Sequence, residues 1–364
     1  MSGLDVSFSG RVTTVDWLLS ASGGAHARPV IELCSSSSAH MRIGRPFLIK
    51  FLILLLLCSL TGGAWATDLW LAVGYGGRRM ISNDGKTWEI TAEWAQPGKD
   101  DGNNLMSVVW AKDQFVVVGG GGGGNDGAGH ILVSKDGRNW TETHRDKARI
   151  NPVVYGAERL VVGTSSYPSG KLMWSTDAVT WNEGAKIAAK GYTHFRGGAY
   201  GNGVFVLTGN GGGNGGFSWA VVTPDGEKIT SERNDLPGQG RIVFGGGHFV
   251  MMTGNSQAGL IRSQDGIEWT PVAFPGDFKV GWLVNAGPLL LAGNNTSVWS
   301  STDAVHWNTG TMTPKGNPLW SDGKRFIGSG WPGKMTWSPD GRIWENANEL
   351  TANGINRVVK AGNP

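Results

Sequence analysis

The stretch Ser263 to Trp269 reads SQDGIEW. It returns along the chain as SNDGKTW at 82–88, SKDGRNW at 134–140, STDAVTW at 175–181, TPDGEKI at 223–229, STDAVHW at 301–307 and SPDGRIW at 338–344. Self-similarity at a period of roughly 20 to 50 residues marks solenoids and propellers. The seven aspartates, Asp84, Asp136, Asp177, Asp225, Asp265, Asp303 and Asp340, follow one another at intervals of 52, 41, 48, 40, 38 and 37. Asp340 stands 24 residues before the C-terminus and Thr67 to Asp84 inclusive is 18, so the joined ends supply one further interval of 42. The sequence behaves like a circle cut once.

The residues around each box repeat in one order: an apolar strand, a tight turn, a second apolar strand, a loop, a third strand, the box, then an aromatic residue. The second repeat shows it as LMSVVWA, KDQ, FVVVGG and ILVSKDGRNW. The first repeat lacks its opening strand, since Asp68 to Gly74 matches FVVVG, and Ile355 to Ala361 near the C-terminus supplies the match. Pairing the last strand into the first repeat removes the exposed edges that would otherwise aggregate. The expected architecture is all-β, a closed seven-bladed propeller of four-stranded blades.

Within the box, the aspartate is expected to accept hydrogen bonds from the backbone N–H groups one and two positions ahead, while the glycine that usually follows tolerates positive φ. The tryptophan then offers a large apolar face to neighbouring strands. The seven acids are therefore read as structural. As catalytic carboxylates they would sit one per blade, too far apart to share a substrate.

Composition agrees with many tight turns between packed strands: glycine is 59 of 364 residues, tryptophan 18, and charged residues only 17%. The first 66 residues depart from the pattern. Arg42, Arg45 and Lys50 precede an apolar run from Phe51 to Leu60, and Ala64-Trp65-Ala66 offers a small-x-small cleavage site. Residues 41–66 thus read as a signal peptide cleaved after Ala66, residues 1–40 as a disordered leader or mis-assigned start, and residues 67–364 as the propeller. The apolar run is too short to span a bilayer comfortably, so export to the periplasm or beyond is expected, with no stable membrane span. Both cysteines, Cys34 and Cys58, fall in the removed segment. Thiol chemistry and cysteine metal sites are excluded from the remainder, which carries 27 Lys/Arg against 26 Asp/Glu. That near-neutral balance argues against a nucleic-acid partner.

The S-x-D-x-x-x-W pattern resembles the Asp-box, or BNR, repeat of sialidases and of many secreted bacterial propellers, over nearly all of residues 68–361. Several boxes are one residue shorter between Asp and Trp than the common S-x-D-x-G-x-T-W form. The resemblance implies a fold and places the boxes away from any active site; it transfers no activity. Sialidase chemistry itself fits poorly. The nearest approach to an F/Y-R-I-P motif is Phe195-Arg196-Gly197, and Tyr75, Tyr155, Tyr167, Tyr192 and Tyr200 leave the last three blades without a tyrosine nucleophile.

A ligand is expected on the face opposite the boxes, where the longer and more variable loops lie over a rigid scaffold. There a set of basic residues near the starts of innermost strands, Arg149, Arg196, Arg241, Lys279 and Arg357, would ring the channel mouth and favour anions. The competing reading makes them solvated strand-end residues paired with Glu183, Glu232, Asp235 or Asp277. Trp94, Tyr192 and Trp331, with His144 and His194 near them, offer sugar-stacking faces; His194, Tyr192 and Arg196 would also suit β-elimination of a uronate. The runs Gly121–Ala128 and Gly209–Gly216 imitate calcium-binding and dinucleotide fingerprints but lack the tandem or βαβ context that either needs. They read as top-face loops. No cofactor or metal cluster is indicated. The chain reads as a monomeric recognition module for an extracellular or envelope glycan, an anionic one favoured. A glycoside hydrolase or polysaccharide lyase, and an envelope scaffold binding protein, are the alternatives.

Overall fold

The computed structural model describes residues 68–94, 104–121, 129–166, 168–188, 194–210, 217–237, 240–253, 259–274, 279–309, 317–330, 333–347 and 354–362. The expected leader, signal peptide and cleavage site lie outside these residues. So do Tyr167, Tyr192, Asp277, Trp331 and most of both glycine runs. Among the described residues no helix is long and apolar enough to cross a membrane.

Seven four-stranded antiparallel sheets follow one another along the chain. Their inner strands are Ile355–Lys360 in blade 1, then Leu105–Ala111, Ile150–Gly156, His194–Gly201, Ile242–Gly245, Trp282–Ala286 and Asn317–Ser321 in blades 2 to 7. Blade 1 closes the ring as the sequence requires: Ile355–Lys360 pairs antiparallel with Trp70–Gly74, setting Trp70 opposite Lys360 and Val73 opposite Arg357. Asp68 fastens the seam, with Oδ2 2.8 Å from Arg325 of blade 7.

The box forms a turn braced twice. Ser82 Oγ accepts from the N–H of Gly85 at 2.8 Å, and Asp84 Oδ1 accepts from the N–H groups of Lys86 and Thr87 at 2.8 and 2.7 Å. The aspartate thus reaches two and three positions ahead, not one and two as the sequence reading had it, because the serine hydroxyl already takes the first N–H beyond the aspartate. The same aspartate geometry recurs at Asp136, Asp177, Asp225, Asp265, Asp303 and Asp340. The residue after each aspartate takes a positive φ. Ala178 and Ala304 do so at 63° and 62°, bearing a cost that glycine escapes.

The box aromatic residue does more than finish the hairpin. Trp88 Nε1 donates to Gly85 O at 3.1 Å, which folds the ring back over its own turn. The ring then packs with Trp320, Ile327 and Met335 of blade 7. Trp140 joins the cluster between blades 1 and 2 and Trp181 that between blades 2 and 3. Ile229, the exception to tryptophan, joins the cluster between blades 3 and 4. Trp269, Trp307 and Trp344 take the equivalent places in the next three. Each box therefore bolts its blade to the preceding one. Gly137 shows how close the fit is: φ is +69°, and an added Cβ would lie 2.5 Å from Ile81 of blade 1.

Candidate functional site

Arg196 and Arg357 lie in inner strands, Arg149 and Arg241 immediately precede theirs, and backbone pairing sets the levels of these four. Arg357 stands opposite Val73, and the carbonyl of Arg241 accepts from Met252 N. Val73 and Met252 are equivalent, each three residues beyond the buried aromatic that pairs with the box serine, Trp70 with Ser82 or Phe249 with Ser263. Arg241 and Arg357 therefore occupy the same rung in blades 5 and 1, nearly opposite each other in a seven-membered ring. Arg196 sits one residue nearer the mouth. It is the extra residue of a bulge between Phe195 and Gly197, the kind of irregularity that re-aims a side chain. Arg149, His194 and Lys279 form the outermost level, Arg149 through its carbonyl bond from Ser165 N and Lys279 three residues before Trp282.

The electrostatics follow from this layering. Arg357 is partly buried. That burial, helped by the facing charge of Arg241, pulls its guanidinium down to about 10. Burial also lowers the pKa of His194, and the cations of Arg196 and Arg149 lower it further. These three residues from blades 3 and 4 thus share one patch. Arg196 Nε donates to Asn210 Oδ1 at 2.9 Å, and Arg357 Nη1 donates to Asn356 O. Arg149 leans on blade 2, its Nε donating to the carbonyls of Gly120 and Gly121. Gly240 keeps blades 4 and 5 close here, since an added Cβ would lie 2.8 Å from Cβ of Arg196. A glycine immediately before Arg241 was the only sequence signal of that contact.

Three of the four carboxylates of the competing reading are engaged elsewhere; the fourth, Asp277, lies outside the described residues. Glu183 pairs with Lys171 at 3.0 Å, Asp235 with Arg233 at 2.8 Å, and Glu232 accepts from Ala188 N. Among the described residues, no carboxylate forms an ion pair with Arg196, Arg241, Lys279 or Arg357.

Of the candidate aromatic residues only Trp94 lies among the described residues, and it does not join this group. Trp94 follows the outer strand of blade 1 and packs on His130 with ring centroids 4.7 Å apart. His144 lies in the outer strand of blade 2, 4.0 Å from Asp146, where burial lowers its pKa. Beside Trp94 the sequence reading missed a second arrangement. Arg79, itself buried, lies between the indoles of Trp94 and Trp140 at 5.3 Å from each, and burial pulls its guanidinium down to about 10. Nothing in the repeat pattern distinguishes that arginine from its neighbour Arg78.

A cavity of about 280 Å³ opens on the box face, lined by Gly287, Trp320, Ser321, Asp322, Lys360, Ala361 and Gly362. Its charges are already matched, Lys360 by Asp68 at 2.6 Å and Asp322 by Arg325 at 2.9 Å. Among the described residues no group of three His, Cys, Asp or Glu could hold a metal ion.

These features define a seven-bladed β-propeller with cations layered at one end of its channel. No known protein family matches the sequence, and no curated protein matches it either. Solved structures do resemble it in fold. The streptogramin B lyase structure aligns with a TM-score of 0.52 at 13% identity, over 70% of this chain and 86% of that one. The structure of YCF48 bound to D1 peptide aligns at 0.49 and 17% identity, over 78% and 89%. Apo AztD from Citrobacter koseri aligns at 0.46 and 10%, over 82% and 99%. At such identities the likeness speaks of the fold alone.

Proposed function

We propose that the protein is an exported recognition module that binds an acidic glycan of the envelope or the extracellular space at the channel mouth opposite the boxes. The observation that carries this reading is the pair Arg241 and Arg357, on one rung across the channel, with no carboxylate partner among the described residues. Two like charges held together in a partly desolvated site raise each other's cost, and an anion brought between them lowers it. Arg196 and Lys279 extend the same field toward the mouth, and an arginine fork matches a carboxylate or sulfate through two parallel bonds.

The export reading comes from residues 41–66, and the Asp-box resemblance rests on the seven boxes. The test is a glycan array probed at low salt with the purified protein, followed by product analysis on every hit. Binding confined to acidic glycans, weakened by Arg357→Ala and by added salt, supports recognition at this mouth. Indifference to acidic glycans at low salt overturns it, and unsaturated products would move the protein to the lyase class.

A further inference from the structure

We propose that the mouth receives the end of a linear acidic glycan inserted along the channel, with its charges spaced to meet cations at two depths. This deepens the anion-recognition reading and rests on it. His194 pairs with Asn210, two rungs outside the Thr208 level that Arg241 and Arg357 share in their own blades, and Lys279 precedes its inner strand by three residues. A strand rises by about 3.3 Å per residue, so two rungs separate the levels by roughly 7 Å along the channel. Arg196, on its bulge, stands between them.

The cations come from blades 4, 5, 6 and 1, so they surround a common axis. A polyanion lying flat across the face would meet the outer level only. A compact anion would satisfy one level and leave the other uncompensated. At the inner level Arg357 is partly buried while Arg241 is exposed, so a chain end that enters the mouth meets an open cation there.

The experiment measures affinity of the full chain, at low salt, for a uronic acid monosaccharide, alternating uronate oligosaccharides of two, four and six sugars, the tetrasaccharide blocked at either end, and polyglutamate of matched charge. A second charge-assisted contact is worth roughly tenfold in affinity. The expected result is a rise of about that size between monosaccharide and tetrasaccharide, a plateau beyond it, and loss of the gain when one end is blocked. Arg241→Ala, at an exposed side chain, should abolish the gain and leave the urea midpoint unchanged. Lys279→Ala should spare the monosaccharide and weaken the tetrasaccharide. A tetrasaccharide that binds no better than the monosaccharide, indifference to blocked ends, or equal binding of polyglutamate overturns end-on insertion while leaving anion recognition standing. Failure of every acidic probe removes both.

Discussion

Asp68 Oδ1 lies 2.6 Å from Lys360 Nζ, so the residue ahead of the first described strand grips the last residue of the final one. The same carboxylate takes Arg325 of blade 7, and Trp70 meets Trp320 edge-on at 5.6 Å beneath them. Ring closure is thus a local cluster holding the two ends of the sequence. Asp68→Asn keeps the shape and removes the charge. Because the pair is partly exposed, the expected loss is only about 1 kcal/mol. Deleting residues 355–364 removes the whole inner strand of blade 1 and exposes the edge of Trp70–Gly74. Urea unfolding should show a modest midpoint shift for the first variant and loss of the cooperative transition for the second; a truncated chain that still unfolds cooperatively would contradict a load shared around the ring.

The box tryptophans should differ in a way set by their burial. Trp88 is almost fully buried between blades 7 and 1, whereas Trp181 is only partly buried. Truncating a buried tryptophan to alanine typically costs about 3 to 5 kcal/mol. Trp88→Ala should approach that range, and Trp181→Ala should fall well below it. Equal losses in denaturant titration would show that the rings act within their hairpins and not between blades.

Seven blades, the circular closure and the strand order were all legible in the sequence, because period and alternation are properties of the chain itself. The partner of each box was not. That Trp88 belongs to the core of blade 7 depends on which way each blade leans on its neighbour, and no spacing within one repeat records it. The basic set was legible as residue types near strand starts, but its layering was not. Arg241 and Arg357 share a rung and Arg149 and Lys279 lie outside it, and only pairing with the second strands reveals this. Trp94 misled for a simple reason: an aromatic residue beyond a strand looks exposed until Arg79 of its own blade and His130 of the next cover it.

Acid should weaken the fold through the boxes. Backbone N–H groups of Thr180 and Val179 hold the carboxyl of Asp177 down to about 2. Those of Asn139 and Arg138 lower Asp136 further, and Ile343 and Arg342 lower Asp340. A carboxyl whose folded pKa lies below its unfolded value near 3.9 binds protons more readily once unfolded. Its contribution is complete above about pH 4 and disappears as pH falls toward 2. The urea midpoint should therefore hold steady from neutral pH to about 5, then drop steeply between 4 and 2. Asp177→Asn should lower the plateau and soften the drop. A midpoint that does not change between pH 5 and pH 3 would remove the charged box turn as a source of stability.

His194 gives ligand binding its own pH dependence. Burial, with the cations Arg196 and Arg149 beside it, favours the neutral imidazole in the free protein. A bound anion screens those cations and favours the imidazolium, so binding should take up a proton. Linkage then requires affinity for an acidic glycan to rise as pH falls below the ordinary histidine value of about 6.5. Titrations at pH 7.5 and 5.5 should show tighter binding at the lower value, with proton uptake visible as a buffer-dependent heat. His194→Gln should flatten that dependence without abolishing binding at neutral pH, since the imidazole is uncharged there. A variant that keeps the full pH dependence would place the titrating group elsewhere and detach His194 from the mouth.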